Sequence, residues 1–175
     1  MKHDHWKLFS WNLSALNDED VALPHGLILR PASKADEAVV QALVARAFST
    51  DAQWTGFYSR IAESLQDRLH EAFRSQHSPA LTILHGQRII AAACFSTEAE
   101  AENHLYCGPC VLPEYRSRGL GAALLLASLR TLKELGVHVA RGVVKDNTTA
   151  SKFVYPKFRS VCEPYHAEPF DAVRF

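Results

Sequence analysis

The sequence predicts one mixed α/β domain with a mostly antiparallel central sheet flanked by helices. Three observations favour this fold class. Two early segments have helical spacing of apolar residues, short apolar runs joined by turn residues follow, and a strand-helix-strand unit comes next. The chain has 175 residues, of which 47% are hydrophobic and 22% are charged, an ordinary composition for one globular domain. We expect residues 1–26 to be an N-terminal extension and residues 27–175 to form the domain.

The first half of the predicted domain contains one strand, two helices and a hairpin. Apolar residues at helical spacing mark both helices, and Pro31 precedes the first, where a missing N–H does no harm. The segment His85-Gly86-Gln87 is typical of a hairpin loop. The predicted elements are a strand at residues 27–30, helices at 38–48 and 57–73, and strands at 81–84 and 89–95.

The second half predicts a crossover between two strands. Gly136 is a natural end for the long helix, and Pro156 ends a short one. The predicted elements are a strand at 104–111, a helix at 120–135, a strand at 137–144, a short helix at 147–155, and closing strands at 160–165 and 171–175. A strand-helix-strand connection is right-handed and joins parallel strands. Parallel strands that diverge at one end would leave a wedge for a ligand.

The turn before the long helix carries the pattern R-x-x-G-x-G at Arg116, Gly119 and Gly121. Glycine has no Cβ and adopts positive φ, so backbone N–H groups can converge there. The first N–H groups of a helix lack intrahelical partners, and the helix dipole adds partial positive charge. Arg116 and Arg118 add full charges. The pattern predicts an anion site suited to a pyrophosphate, although a tight structural turn explains the glycines as well.

These residues resemble the coenzyme A signature of the GNAT family of N-acetyltransferases. The matching run is Val111-x-Pro113-x-x-Arg116-x-x-Gly119-x-Gly121-x-x-Leu124-Leu125, and a later run, Val144-Lys145-Asp146-Asn147-x-x-Ala150-x-x-Phe153, resembles the family's second motif. The resemblance implies a GNAT-like fold with a splayed pair of parallel strands. It also implies an enzyme that transfers the acetyl group of acetyl-CoA directly to a primary amine, with a small molecule slightly preferred to a protein as acceptor.

The resemblance further implies which residues bind the coenzyme. Backbone groups near Cys110, Val111 and Leu112 would hold the pantetheine arm, and N–H groups of the turn would take the pyrophosphate. The expected coenzyme-binding residues are Cys110, Val111, Leu112, Arg116, Ser117, Arg118, Gly119, Leu120, Gly121, Ala122, Asn147 and Phe153. Capping the short helix is an equally good explanation of Asn147.

The candidate catalytic residues match the family's pattern less closely than the coenzyme-binding residues do. The family often has a tyrosine directly after the position of Phe153, where this chain has Val154. Tyr155 stands one position further on and is the candidate proton donor to the departing thiolate, with packing as the alternative. No base is assigned. Candidates for the base are His104, Tyr106, Glu98, Glu102 and water, and the aromatic residues that would line the acceptor site or pack in the core are Trp54, Phe57 and Tyr58.

Two other functions are also compatible with the sequence. The departures from the second motif favour a non-catalytic acyl-CoA-binding module. The tetrapeptide Cys107-Gly108-Pro109-Cys110 matches the active-site sequence of thioredoxin and favours thiol-disulfide exchange. Against exchange, Pro113 opposes the helix that should follow the first cysteine. The alternative explanation is that Gly108 and Pro109 bulge the strand and splay it from its neighbour.

Composition excludes some classes of partner. The formal net charge is zero and the pI is near 7.1, so nothing indicates nucleic-acid binding. The sequence has no run of 18 apolar residues and no signal-peptide pattern, so we expect a cytoplasmic protein without a membrane partner. The expected partners are acetyl-CoA and an amine acceptor, no metal is expected, and a homodimer is left open.

Overall fold

A computed structural model describes residues 5–17, 20–75 and 79–166 of the chain. Seven strands and three longer helices make up the described part. In chain order they are β1 (Trp6–Asn12), β2 (Leu27–Pro31), α1 (Glu37–Ser49), α2 (Thr55–Arg74), β3 (Ala80–His85), β4 (Arg88–Cys94), β5 (Cys107–Val111), α3 (Leu120–Glu134), β6 (Val139–Lys145) and β7 (Val161–Tyr165). The predicted strand at 171–175 lies outside the described residues.

The strands form two sheets. One is an antiparallel meander in the order β2-β3-β4-β5, and the other has the order β6-β1-β7 with both pairings antiparallel. Helices α1 and α3 pack on the meander, and their apolar faces fill the main core with it. This mixed α/β arrangement, with antiparallel strands flanked by helices, agrees with the predicted fold class.

Part of the expected N-terminal extension forms a strand of the smaller sheet. β1 is the central strand of the smaller sheet and pairs with β6 on one side and β7 on the other. Phe9 and Trp11 alternate along it, Leu13 continues the alternation just past its end, and each is at most 2% exposed. Alternation with a period of two is the pattern of a strand that buries one face. Residues 6–12 therefore belong to the sheet, and Phe9, Trp11 and Leu13 belong to the main core.

The two strands of the predicted crossover, β5 and β6, belong to different sheets. Just before β5, the N–H groups of His104 and Leu105 donate to the carbonyl of Arg141, at 2.9 and 3.3 Å. After these two bonds, β5 and β6 are not paired as neighbouring strands within the described ranges. Pro109 has no N–H to donate, and the register of β5 shifts beside it. The strands consequently separate where the sequence predicted a wedge.

The segment after β6 is shorter than predicted. The expected helix at 147–155 is a single π-helical turn at Ala150–Val154.

None of the helices in the described ranges is both long enough and apolar enough to cross a membrane.

An ion pair at the start of α1 makes stability depend on pH. Arg30 donates to the Asp36 carboxylate at 2.8 Å, and with the Ser33 donors it lowers the pKa of Asp36 to about 2. Because the folded pKa lies below the unfolded value, this contribution is present above about pH 4 and is lost as the pH falls toward 2.

We expect Asp36→Asn to lower the free energy of unfolding by about 1 kcal/mol at pH 7, since Arg30 is partly solvated. The difference from the unsubstituted protein should vanish near pH 2, as urea titrations across pH would show. Asp67→Asn on the exposed face of α2 is the matched control. An Asp36→Asn deficit that persisted unchanged at low pH would contradict the ion-pair account.

Candidate functional site

A cavity of about 540 Å³ opens where β5 and β6 separate. Its walls come from β5, the start of α3, the end of β6, the π-helical turn and the loop between α1 and α2. Cavities of this size accommodate small molecules and cofactor arms. Of the expected coenzyme-binding residues, those that line the cavity are Cys110, Val111, Arg116, Ser117, Gly119, Leu120, Gly121, Ala122 and Phe153, and Tyr155 lines it too.

The start of α3 faces this cavity with free N–H groups. Ser117 and Gly119 have φ of 62° and 77°, so the chain turns sharply into the helix at Gly119. The first intrahelical bond runs from the N–H of Ala123 to the carbonyl of Gly119, and no side chain caps the end. The N–H groups of Leu120, Gly121 and Ala122 are thus the orphan donors of the helix, at its positive end.

Gly121 is needed for a close contact. A Cβ on this residue would lie 3.3 Å from Cγ2 of Val154 and 3.7 Å from Cγ of Pro109. The start of α3 therefore lies against both the π-helical turn and the bulge in β5. This contact explains the second glycine of the motif by shape, whereas Gly119 is explained by its positive φ.

The two arginines of the turn, Arg116 and Arg118, make hydrogen bonds to backbone carbonyls that the sequence did not predict. Arg116 donates from Nε to the carbonyl of Val111 at 3.3 Å and from a terminal nitrogen to the carbonyl of Ala47 at 3.1 Å. It therefore ties α1 to the end of β5 as well as bringing charge to the cavity wall. Arg118 donates to the carbonyl of Glu114 at 3.3 Å, lies 5.1 Å above the ring of Tyr115, and is not among the lining residues.

The backbone of β5 offers the cavity one outward donor. The N–H of Leu112 donates to the carbonyl of Ile90 on β4. Alternate residues of an antiparallel ladder face the same neighbour, so Cys110 and Leu112 both direct their backbone groups to β4. Val111 faces the open edge, in agreement with the bond that its carbonyl accepts from Arg116. A pantetheine arm at the backbone of Cys110 or Leu112, as expected from the sequence, would therefore compete with the β4 ladder, whereas the backbone of Val111 is directed away from β4.

Tyr155 lies between the two sheets where β5 and β6 separate. Its ring is 2% exposed, packs edge-on against Phe9 and Trp11, and lies over Gly142, where a Cβ would be 3.0 Å from Cε2 of the tyrosine. Its hydroxyl donates to the carbonyl of Gly108 at 2.9 Å. Burial raises the pKa of Tyr155 well above its ordinary value. The tyrosine thus spans from β6 to the bulge of β5, and the structure favours its packing role.

We expect Tyr155→Phe to lower the free energy of unfolding by about 1 kcal/mol, because the Gly108 carbonyl loses a buried donor. Any acetyl-transfer rate should stay within about threefold, since a hydroxyl bound to the backbone is not free to act as the acid. Thermal unfolding and steady-state rates measure the two effects. Tyr165→Phe is the control, because its hydroxyl makes only a 3.5 Å contact with Glu102. A fall in rate of about 100-fold without loss of coenzyme affinity would restore Tyr155 as the acid.

The second motif is also used differently from expectation. Asn147 is exposed, adopts φ of 64° in the turn after β6 and is not among the cavity-lining residues. Thr148 makes the capping contacts instead: its hydroxyl accepts from the N–H of Ser151 at 3.2 Å and donates to the carbonyl of Lys145 at 2.9 Å. The capping role expected for Asn147 is therefore taken by Thr148, and the expected contact of Asn147 with the coenzyme stays a prediction. Phe153 is 66% exposed at the cavity edge, where an apolar part of a ligand could cover it.

The cysteines do not form a redox site of the thioredoxin kind. Cys107 and Cys110 are buried on a strand, and Pro113 begins a short 3₁₀ turn where that site would need a helix. Hydrogen bonds to Cys110 and Cys94 and complete burial raise the pKa of the Cys107 thiol. A reactive dithiol needs the opposite shift. The strand bulges beside Gly108, as the alternative explanation of the tetrapeptide predicted. A Cβ added at Gly108 would lie 2.9 Å from Cα of Ala93.

The candidate bases separate into buried and lining residues. His104 is fully buried, accepts from the N–H of Arg141 at Nδ1, and has a pKa lowered by burial. It does not line the cavity, whereas Tyr106 does, with the guanidinium of Arg68 lying 4.0 Å from its ring centroid. Glu98 and Glu102 are not among the lining residues.

The aromatic residues of the second helix are likewise divided. Trp54 lines the cavity, Phe57 is buried in a small second core, and Tyr58 stacks on Phe48. Three lining residues at the end of α1 and in the loop after it, Ala47, Phe48 and Asp51, were not predicted from the sequence. Leu105 also lines the cavity without having been predicted, and it packs against Gly142 of β6, a contact between distant segments. Among the described residues no group of three or more metal-ligating side chains is found.

Comparison with known proteins identifies the class. The profile of the acetyltransferase (GNAT) family matches residues 44–158, which is more than half of the chain. The chain belongs to this family, and the region matched includes the cavity-lining start of α3 and the π-helical turn. No curated protein sequence matches the chain.

Solved structures share the fold at low identity. A GCN5-related N-acetyltransferase from Sphaerobacter thermophilus aligns with a TM-score of 0.62 and 16% identity, over 92% of this chain and 49% of that chain. One from Kribbella flavida aligns with a TM-score of 0.58 and 15% identity, over 91% and 55%. A conserved protein of unknown function from Staphylococcus epidermidis gives 0.62 and 13%, over 92% and 58%. The chain spans about half the length of these proteins.

Proposed function

We propose that the chain binds acetyl-CoA in the cavity between the two sheets and transfers the acetyl group to the primary amine of a small molecule. The observation that carries the proposal is the uncapped start of α3, which opens into the cavity at the residues that carry the family resemblance. The N–H groups of Leu120, Gly121 and Ala122 would bind the pyrophosphate.

The open edge of β5 supports the placement of the pantetheine arm. The N–H of Val111 faces the cavity, and an amide of the arm could accept from it as a neighbouring strand would. The apolar side chains of Val111 and Val154 and the exposed ring of Phe153 line the same cavity and could cover the arm. The arm would thus occupy the gap that the bulge at Gly108 and the ring of Tyr155 keep open.

Transfer is proposed to be direct, without an enzyme-bound intermediate. The nitrogen of a neutral amine forms a bond to the thioester carbonyl carbon, and the carbon–sulfur bond breaks. The proton that the amine loses and the proton that the thiolate gains balance, so the products are an N-acetyl amide and free coenzyme A. The chain's contribution in this scheme is chiefly orientation of the two reactants in one cavity.

A second candidate, a non-catalytic acyl-CoA-binding module, is favoured by one observation. The hydroxyl of Tyr155, the candidate acid, is bound to the carbonyl of Gly108. Water could protonate the thiolate in its place, so this observation does not remove the catalytic proposal.

Calorimetry with acetyl-CoA and a thiol-release assay over a set of amines together test the function. The enzyme proposal expects saturable binding and amine-dependent release of coenzyme A. Binding without turnover of any amine would favour the binding module, and absence of binding would contradict both.

A further inference from the structure

The loop between α1 and α2 brings an acidic group to a cavity whose coenzyme would be an anion. Asp51 lines the cavity, and within the described ranges its carboxylate makes no ion pair. One carboxylate oxygen accepts from the N–H of Gln53 at 2.9 Å. That bond fixes the carboxylate in an Asx turn, and the second oxygen accepts from no donor in the part of the chain that the structure describes.

Two aromatic residues, each joined to Asp51 by a backbone hydrogen bond, also line the cavity. Phe48 and Trp54 both line the cavity, with ring centroids 4.9 Å apart and planes 85° apart. The ring of Tyr58 stacks on that of Phe48, with ring centroids 5.5 Å apart. Aromatic faces attract organic cations, and a carboxylate adds a full opposite charge. The wall is therefore suited to a ligand that is cationic and partly apolar.

Two cationic side chains, Arg116 and Lys157, also line the cavity. Within the described ranges neither is ion-paired with Asp51, and the guanidinium of Arg116 donates to the carbonyls of Val111 and Ala47. An acidic acceptor would meet Asp51 as a like charge. Asp51 is the one carboxylate among the described residues that line the cavity, and it lies in the loop after α1, whereas the coenzyme's phosphates are proposed to bind at the start of α3.

We propose that the acceptor is a small amine with a second positive charge, and that Asp51, with Phe48 and Trp54, binds this second, non-reacting group. This inference rests on the proposed function. The reacting amine must be neutral, and a carboxylate beside it would stabilise its ammonium form and oppose attack. Asp51 is therefore assigned to the distant ammonium and not to the nucleophile, as a specificity-determining residue.

Three acceptors of equal chain length test this assignment: diaminobutane, aminobutane and aminobutanoate. They differ only in the end that does not react, which is cationic, apolar or anionic. We expect the unsubstituted protein to use diaminobutane with kcat/KM at least about tenfold above that for the other two, through a lower KM. Calorimetry of the same three compounds on the protein loaded with coenzyme A should give the same order of affinity.

Asp51→Asn removes the charge and keeps an oxygen that can accept from Gln53. We expect it to abolish most of the preference for diaminobutane and to leave coenzyme affinity unchanged. Asp67→Asn on the exposed face of α2 is the control and should keep the preference. Equal use and equal binding of the three compounds would overturn the inference, as would a kcat loss in Asp51→Asn for every acceptor, which would make Asp51 a base. Failure of acetyl-CoA itself to bind would instead overturn the proposed function.

Discussion

Gly121→Glu is expected to abolish coenzyme A binding, with affinity reduced at least about 100-fold. A Cβ at this position already lies 3.3 Å from Val154 and 3.7 Å from Pro109, so the longer side chain must project into the cavity. Its carboxylate would also stand beside the N–H groups proposed for the pyrophosphate, where a negative charge repels the ligand. Titration calorimetry with coenzyme A measures the loss.

Gly56→Glu is the matched control for this experiment. Gly56 lies in the first turn of α2, where a Cβ would have no neighbour within 4 Å and a carboxylate suits the helix dipole. This variant should bind coenzyme A like the unsubstituted protein. A folded Gly121→Glu protein with unchanged affinity, its fold verified by thermal unfolding, would place the coenzyme elsewhere.

Trp11→Ala is expected to lower the free energy of unfolding by about 3–5 kcal/mol. Trp11 is completely buried near the end of β1, packs edge-on against Tyr155, and donates from its indole to the carbonyl of Lys157 at 3.0 Å. The substitution leaves a cavity and removes that donor. For a domain of this size the melting temperature should fall by roughly 6–20 °C.

Phe153→Ala provides the comparison, because this aromatic ring is 66% exposed and its removal should change stability by about 0.5 kcal/mol or less. Calorimetric melting of both variants would decide whether the N-terminal strand belongs to the core. If Trp11→Ala cost no more than Phe153→Ala, residues 6–13 would be the appendage that the sequence first indicated.

Elements with a local signal could be predicted from the sequence. The stripe Ile61, Leu65 and Leu69 lies on one helix face, and all three are buried in α2 as expected. The hairpin of β3 and β4 and the long helix α3 were predicted to within a few residues, because periodicity and turn residues act over short distances. β1 was missed because it is stabilised by β6 and β7, which lie far along the chain.

The candidate site divides in the same way. The glycines of the turn could be predicted, because a positive φ and a close approach are demands that few other residues meet. The partners of Arg116 and of the Tyr155 hydroxyl could not, since both are carbonyls brought close only by the tertiary fold. Asp51 gave no motif signal, and its importance emerges only when the cavity wall is assembled.

A crystal structure of the chain with coenzyme A tests the central claim most directly. We expect pyrophosphate oxygens at about 2.7–3.2 Å from the backbone nitrogens of Leu120, Gly121 and Ala122, and a pantetheine amide bonded to the N–H of Val111. A coenzyme bound away from the start of α3, or one held there with its arm outside the gap between β5 and β6, would contradict the claim.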